Sequence, residues 1–174
     1  MSQTIAKPQP GEYAPYAIMY IDLVPDDGQL LTHLSQNLQT VTELARSFPV
    51  ARLTAPCGPG EWTIQEILVH IMDTERVFAY RTLRLARGDR TVLPGFAEND
   101  YAAASRANER TLADILTEYE AVRQASVTLL DSFAEEIWTR TGSASGNPLS
   151  VRGAAFQIAG HELHHLYSIR ENYL

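Results

Sequence analysis

The sequence predicts an all-α chain, a four-helix bundle with long inter-helix loops, and three observations carry that expectation. Four segments of about 20 residues each place apolar residues at helical spacing. No segment alternates apolar and polar residues as a half-buried strand does. Stretches rich in Gly, Pro and Ser separate the four segments, and no internal repeat links them.

Residues 1–25 carry four prolines (Pro8, Pro10, Pro15 and Pro25) and are expected to form an extended lead-in to a single domain over 26–174. The first helix should begin at Asp26 or Asp27, either of which can cap it. Its stripe is Leu30, Leu34, Leu38, Val41, Ala45 and Phe48, and Pro49 limits it. A loop through Gly60 leads to Thr63-Ile64-Gln65-Glu66, the spacing of a capping box, and the second helix runs from there to about Gly88. A long loop from Asp89 to about Arg110 follows, with room for a helical turn in its later part. Thr111 to Asp114 offers the next cap, and Leu112, Ile115, Tyr119, Val122, Leu129 and Phe133 give the third helix its stripe. Thr141 to Pro148 is a loop by composition, and the fourth helix runs from about Ser150 nearly to Leu174.

With 174 residues, 45% hydrophobic and 20% charged, the chain is long enough for one well-buried core and is not of disordered composition. A net charge of -7 without a basic stripe argues against a nucleic-acid partner. A single cysteine, Cys57, excludes an internal disulfide and fits a reducing cytoplasm, and no cation lies beside it in sequence to activate it. No apolar run approaches the ~18 residues of a membrane span, and no signal-peptide pattern opens the chain, so a cytoplasmic location and no membrane partner are expected.

Chemistry concentrates on two helices. In the fourth, a step of about 100° per residue puts His165 in the middle of the apolar face defined by Val151, Ile158 and Ile169. His161 and Glu162 flank it, and His164 lies off the face. In the second, His70, Thr74 and Arg81 line one flank of the stripe Ile64, Ile67, Ile71, Phe78 and Leu85, and Glu75 lines the other. Histidines at i and i+4 can share one metal ion, and a third from a facing helix completes a three-point site: His70, His161 and His165. Imidazole suits Zn, Ni, Cu or Fe, so ligand type alone does not select the metal, and Zn or Ni is the expected ion. Glu75, Glu162 and Asp73 are candidates to orient the rings, and Glu162 and Glu75 to handle a proton. Each of the two glutamates equally suits a helix-edge salt bridge. Trp62, Phe96 and Tyr101 are candidate pocket walls, and Arg81 a candidate for an anionic group; ordinary packing and a snorkelling surface arginine are the plain alternatives. His33 and His164 read as solvated or structural.

His161-Glu162-Leu163-His164-His165 also satisfies the HExxH pattern of zinc proteases. The extension of that motif fails at Ser168 and Glu171, and no substrate-aligning strand is expected, so proteolysis is set aside.

The run from Trp62 to Arg76, then Leu93-Pro94-Gly95-Phe96, then Ala159 to His165, resembles the DinB-like (DinB/YfiT) superfamily, in order from about Leu23 to Leu174. The resemblance implies a four-helix bundle, often a homodimer, with a three-histidine divalent-metal site matching His70, His161 and His165. Members similar to this group include S-transferases and isomerases that use bacillithiol, mycothiol or glutathione. The leading expectation is therefore a metal-dependent transferase joining such a low-molecular-weight thiol to a small electrophile. The alternatives are a metal-dependent hydrolase and a non-catalytic, stress-associated metal-binding bundle.

Overall fold

The computed structural model describes residues 3–174. Four long helices carry the fold: α2 (Leu30–Ser47), α4 (Ile64–Ala86), α6 (Leu112–Asp131) and α7 (Val151–Tyr173). Three short ones, α1 (Ile18–Ile21), α3 (Val50–Leu53) and α5 (Glu98–Ala104), sit in the connections. α4 packs on α6 and α7, and α2 packs on the same two, so the order around the bundle is α2–α6–α4–α7. Chain neighbours α2 and α4 thus stand on a diagonal, as do α6 and α7, which a simple up-and-down connection would not produce. The long loops supply the reach.

Helix ends follow local chemistry. The capping box at α4 is present: Thr63 Oγ1 accepts the Glu66 N–H at 3.1 Å, and the Thr63 N–H donates to Glu66 Oε2 at 2.7 Å. Gly88, at φ +74°, closes the same helix in a Schellman motif, its N–H donating to Leu85 O and that of Asp89 to Arg84 O. Thr111 and Ser150 cap α6 and α7. At α2 the expected aspartate cap is absent. The helix begins at Leu30, and Asp27 instead accepts the Gln29 N–H and pairs with His33 at 2.9 Å.

Three expectations are corrected. The lead-in is not an extended spacer: Pro15–Ala17 forms a 3-10 turn continuous with α1, and Ile5, Tyr13, Ala17, Ile21 and Val24 are buried. It lies flat on α7 because Gly153 and Gly160, two turns apart, bring no Cβ. One added at Gly160 would stand 2.1 Å from Tyr20 O, and one at Gly153 2.5 Å from Glu12 O. Residues 141–150 are not a plain loop but a hairpin, β1 (Thr141–Ala144) paired antiparallel with β2 (Asn147–Ser150). Ser145 (φ 53°) and Gly146 (φ 75°) both take positive φ, the requirement of a type I′ turn, and Gly meets it freely. Finally, the inward face of α6 is rotated from the expected stripe. Ile115, Tyr119, Arg123, Ser126 and Leu130 point in, while Val122 and Leu129 are only partly covered.

The core has two apolar halves. One gathers the lead-in, Leu30, Leu34, Leu85, Leu130 and Phe156; the other Val41, Ile64, Leu68, Met72, Ile115 and Leu166. Each long helix passes from one half to the other at a polar waist: Leu34 O on α2, Glu75 on α4, Arg123 on α6 and Glu162 on α7. Arg123 donates to both Glu75 oxygens (3.0 and 2.9 Å), to Glu162 Oε1 (2.8 Å) and to Leu34 O. All three side chains are at most 2% exposed, so these acceptors are what make the layer tolerable, and Glu162 Oε2 is left buried without a partner.

Candidate metal centre

At the same waist, on the side where α4 meets α7, three histidines converge. His161 and His165 stand one turn apart on α7, and His70 faces them from α4. His161 Nε2 lies 3.0 Å from His70 Nε2 and 3.1 Å from His165 Nε2. Burial is the first cause that lowers all three pKa values: His70 to about 4, His165 to about 3, and His161 well below the ordinary range, with the neighbouring imidazoles adding to the effect at His161 and His165. At neutral pH the rings are uncharged and present lone pairs.

The donor set fits a divalent cation. Metal–nitrogen bonds of about 2.0–2.1 Å place two ligands about 2.9 Å apart at a right angle and about 3.3 Å apart at a tetrahedral one. The two separations from His161 fall in that interval, and one ligand atom from each histidine lies within 4.8 Å of the others. Without a cation, these nitrogens would face one another with one proton at most between each pair. Trp62 covers the group, its ring 4.7 Å from His70 and 6.4 Å from His165.

The triad forms one end of a cavity of about 540 Å³. Trp62, Phe96 and Arg81 are among the residues that line it. Tyr101 does not; it packs on Phe96 from outside, rings 5.3 Å apart. Glu75 and Glu162 do not reach the cavity either, although both were candidates for proton transfer. Their carboxylates turn into the bundle toward Arg123, and Glu162 Oε1 also accepts from the Tyr119 hydroxyl. Neither they nor Asp73 hydrogen-bonds a histidine, and Asp73 pairs with Arg76 instead. The HExxH spacing therefore brings its two histidines together while sending its glutamate elsewhere.

Sequence reading missed several lining residues. Tyr16 and Tyr20 come from the lead-in, with Tyr20 edge-on to His161 at 5.4 Å. Gln157 lies one turn before His161, a spacing that could have revealed it. Glu98 is the carboxylate among the lining residues, and its charge acts on His70, Tyr20 and Arg81. His164 also lines the cavity, outside the triad.

A helical bundle with an internal histidine triad beside an open cavity defines a class of helical metal-site proteins. A model of the DinB superfamily matches residues 33–169, so the chain belongs to that superfamily. YfiT from Bacillus subtilis, described as a probable metal-dependent hydrolase with an unusual four-helix bundle topology, is structurally similar. The TM-score is 0.75 at 14% identity, over 98% of this chain and 94% of that one. The mycothiol-dependent maleylpyruvate isomerase is also similar, with a TM-score of 0.67 at 13% identity, over 85% of this chain and 61% of that one. At such identities the likeness is one of fold. No curated protein matches in sequence. Among the described residues, no helix is long and apolar enough to cross a membrane.

Proposed function

We propose that this chain is a divalent-metal-dependent transferase that joins a low-molecular-weight thiol to a small electrophile. The observation that carries the reading is the triad at one end of a cavity of about 540 Å³. A site of purely structural character would instead be closed by protein ligands. The glutamates expected to act as bases are held by Arg123, and Cys57 lies outside this cavity, exposed, so an external nucleophile suits the site. The fold shared with a mycothiol-dependent isomerase supports the same choice.

His70, His161 and His165 would hold the ion, taken here as Zn or Ni, and Trp62 would shield it from bulk water. A divalent cation there would supply Lewis acidity, lowering the pKa of a thiol or water brought to it. The thiol loses its proton to solvent, its sulfur forms a bond to the electrophilic carbon, and the leaving group departs with the electron pair. Metal-loaded protein should consume glutathione, mycothiol or bacillithiol together with an electrophile such as 1-chloro-2,4-dinitrobenzene, giving a thioether seen by mass spectrometry. If it neither binds nor consumes any of the three, the transferase reading fails.

A second reading, metal-dependent hydrolysis, rests on Glu98 at the cavity and on the fold shared with YfiT. It predicts thiol-independent ester or amide cleavage that Glu98→Gln abolishes with metal content intact.

A further inference from the structure

Two arginines are buried in this molecule for different purposes. Arg123 is surrounded by carboxylates. Arg81 is 6% exposed, yet among the described residues it forms no ion pair. Its Nη2 donates to Pro94 O at 2.9 Å and to Ser145 Oγ at 3.1 Å, both neutral acceptors, and its guanidinium lies over the Phe78 ring at 4.9 Å. Nη1 and Nε have no protein acceptor among the described residues. A guanidinium cannot shed its charge by deprotonation, so one partly withdrawn from water without a counterion is kept at a cost.

The surroundings point the same way. Ser145, which accepts from Arg81, occupies the left-handed region in the hairpin turn, a conformation an L-residue adopts at a cost. Leu93 is bound to the same hairpin through Leu93 N–Ser143 O and Ser145 N–Leu93 O, both 2.9 Å, which fixes Pro94 O beside the guanidinium. Both acceptors therefore come from segments outside the bundle, docked where they aim the arginine. Between His70 and Arg81 on α4, Thr74 lines the cavity with a buried hydroxyl that has no partner. Glu98 acts on Arg81 across the cavity without pairing with it.

From this geometry we infer that Arg81 is the anion-binding residue of the cavity, and that the electrophile carries a carboxylate held there while its reacting carbon faces the histidine triad. The inference rests on the transferase reading only for the word electrophile; the anion subsite stands on the arginine. His70 and Arg81 lie on one line of α4, three turns or about 16 Å of rise apart. Side chains lean toward the helix N-terminus, which shortens the gap from the arginine side. The carboxylate is thus several bonds from the reacting carbon, unlike an acid that simply chelates the ion.

The test is calorimetric titration of metal-loaded protein with a dicarboxylate series from succinate to pimelate, the neutral diamides and glutathione, on wild type, Arg81→Gln and Arg81→Lys. Charge-assisted hydrogen bonds set the expected loss for Arg81→Gln at about 10- to 100-fold in carboxylate affinity. Metal content and melting temperature should be retained, Arg81→Lys should fall between, and wild type should favour one chain length over the diamides. Equal carboxylate binding by wild type and Arg81→Gln overturns the subsite, because the ion alone then holds the acid. Loss of glutathione affinity with carboxylates unaffected also overturns it, moving the anion to the thiol. If Arg81→Gln does not fold, Arg81→Lys decides, since it keeps the charge and loses the fork. Arg81-dependent carboxylate binding without thiol turnover would leave the subsite standing and remove the transferase reading; thiol turnover with carboxylates indifferent to Arg81 would do the reverse.

Discussion

Arg123 and Arg81 are the same residue, buried to a similar degree on adjacent helices, with opposite surroundings. Arg123 finds Glu75, Glu162 and Leu34 O already in place, so its charge is settled by folding. Burial alone would lower its pKa, but Glu162, Tyr119 and Glu75 outweigh that and raise it well above the ordinary value. At Arg81 burial lowers the pKa, and Tyr16 and Glu98 offset that only in part. The difference separates a charge that completes a core from a charge kept available for something else. It also divides the waist of the bundle into a closed half, the ion-pair layer, and an open half, the triad and its cavity.

The strongest way to break the contrast is to remove each arginine in turn. Arg123→Gln leaves two buried carboxylates short of a counterion, and truncating one side of a buried pair costs about 3–5 kcal/mol. Arg81→Gln removes an unpaired cation, so its stability should remain within about 1 kcal/mol of wild type. Urea unfolding of the two variants measures both. Equal losses would mean that Arg81 is as structural as Arg123.

The next effect concerns protons at the triad. In metal-free protein the folded pKa values of His70 and His165, about 4 and about 3, lie below the unfolded value of 6.5. The unfolded chain then binds protons first. Stability is full above about pH 6.5 and declines as pH falls toward 4 and then 3. Metal affinity should be level from pH 7 to 8, since no ring has a proton left to lose, and should fall steeply on acidification toward pH 4. A metal-buffered titration would show it; affinity still climbing between pH 7 and 8 would mean rings that are solvated rather than buried.

Glu162→Gln sharpens the boundary between the two halves. Glutamine can still accept from Tyr119 and Arg123 through one oxygen, so the loss should be about 1–2 kcal/mol, well under that of Arg123→Gln. Metal content and turnover should be preserved. Retained metal with abolished turnover would return Glu162 to the proton-transfer role that its HExxH position first suggested.

The open half was more legible in sequence than the closed one. His161 and His165 sit at i and i+4 on the face that Val151, Ile158 and Ile169 define, and that spacing declares a shared function before any partner is known. Arg123 occupies the same kind of position between Tyr119 and Leu130, but the aliphatic Val122 and Leu129 suggest a neighbouring phase for the helix. Which phase is buried depends on carboxylates from α4 and α7, and periodicity within one helix carries no information about them. Tyr20 was missed for a similar reason. Prolines mark residues 1–25 as non-helical, whereas the absence of Cβ atoms at Gly153 and Gly160, more than a hundred residues later, is what lets the segment lie down and wall the site.

The smallest effect tests whether backbone strain serves the open half. Ser145 holds φ 53° and supplies one of the two acceptors that aim Arg81. Ser145→Ala removes the hydroxyl and keeps the strain; Ser145→Gly removes both. The glycine variant should therefore be more stable than the alanine variant by about 1 kcal/mol, the cost of the left-handed conformation for an L-residue. Against wild type, glycine should come out nearly level, because the relief of strain offsets a hydrogen bond worth about 1 kcal/mol. Carboxylate affinity should fall alike in both variants, since each frees the guanidinium on one side. If affinity is unchanged in both, Pro94 O alone suffices to position the arginine, and the strained serine belongs to the hairpin turn rather than to the cavity.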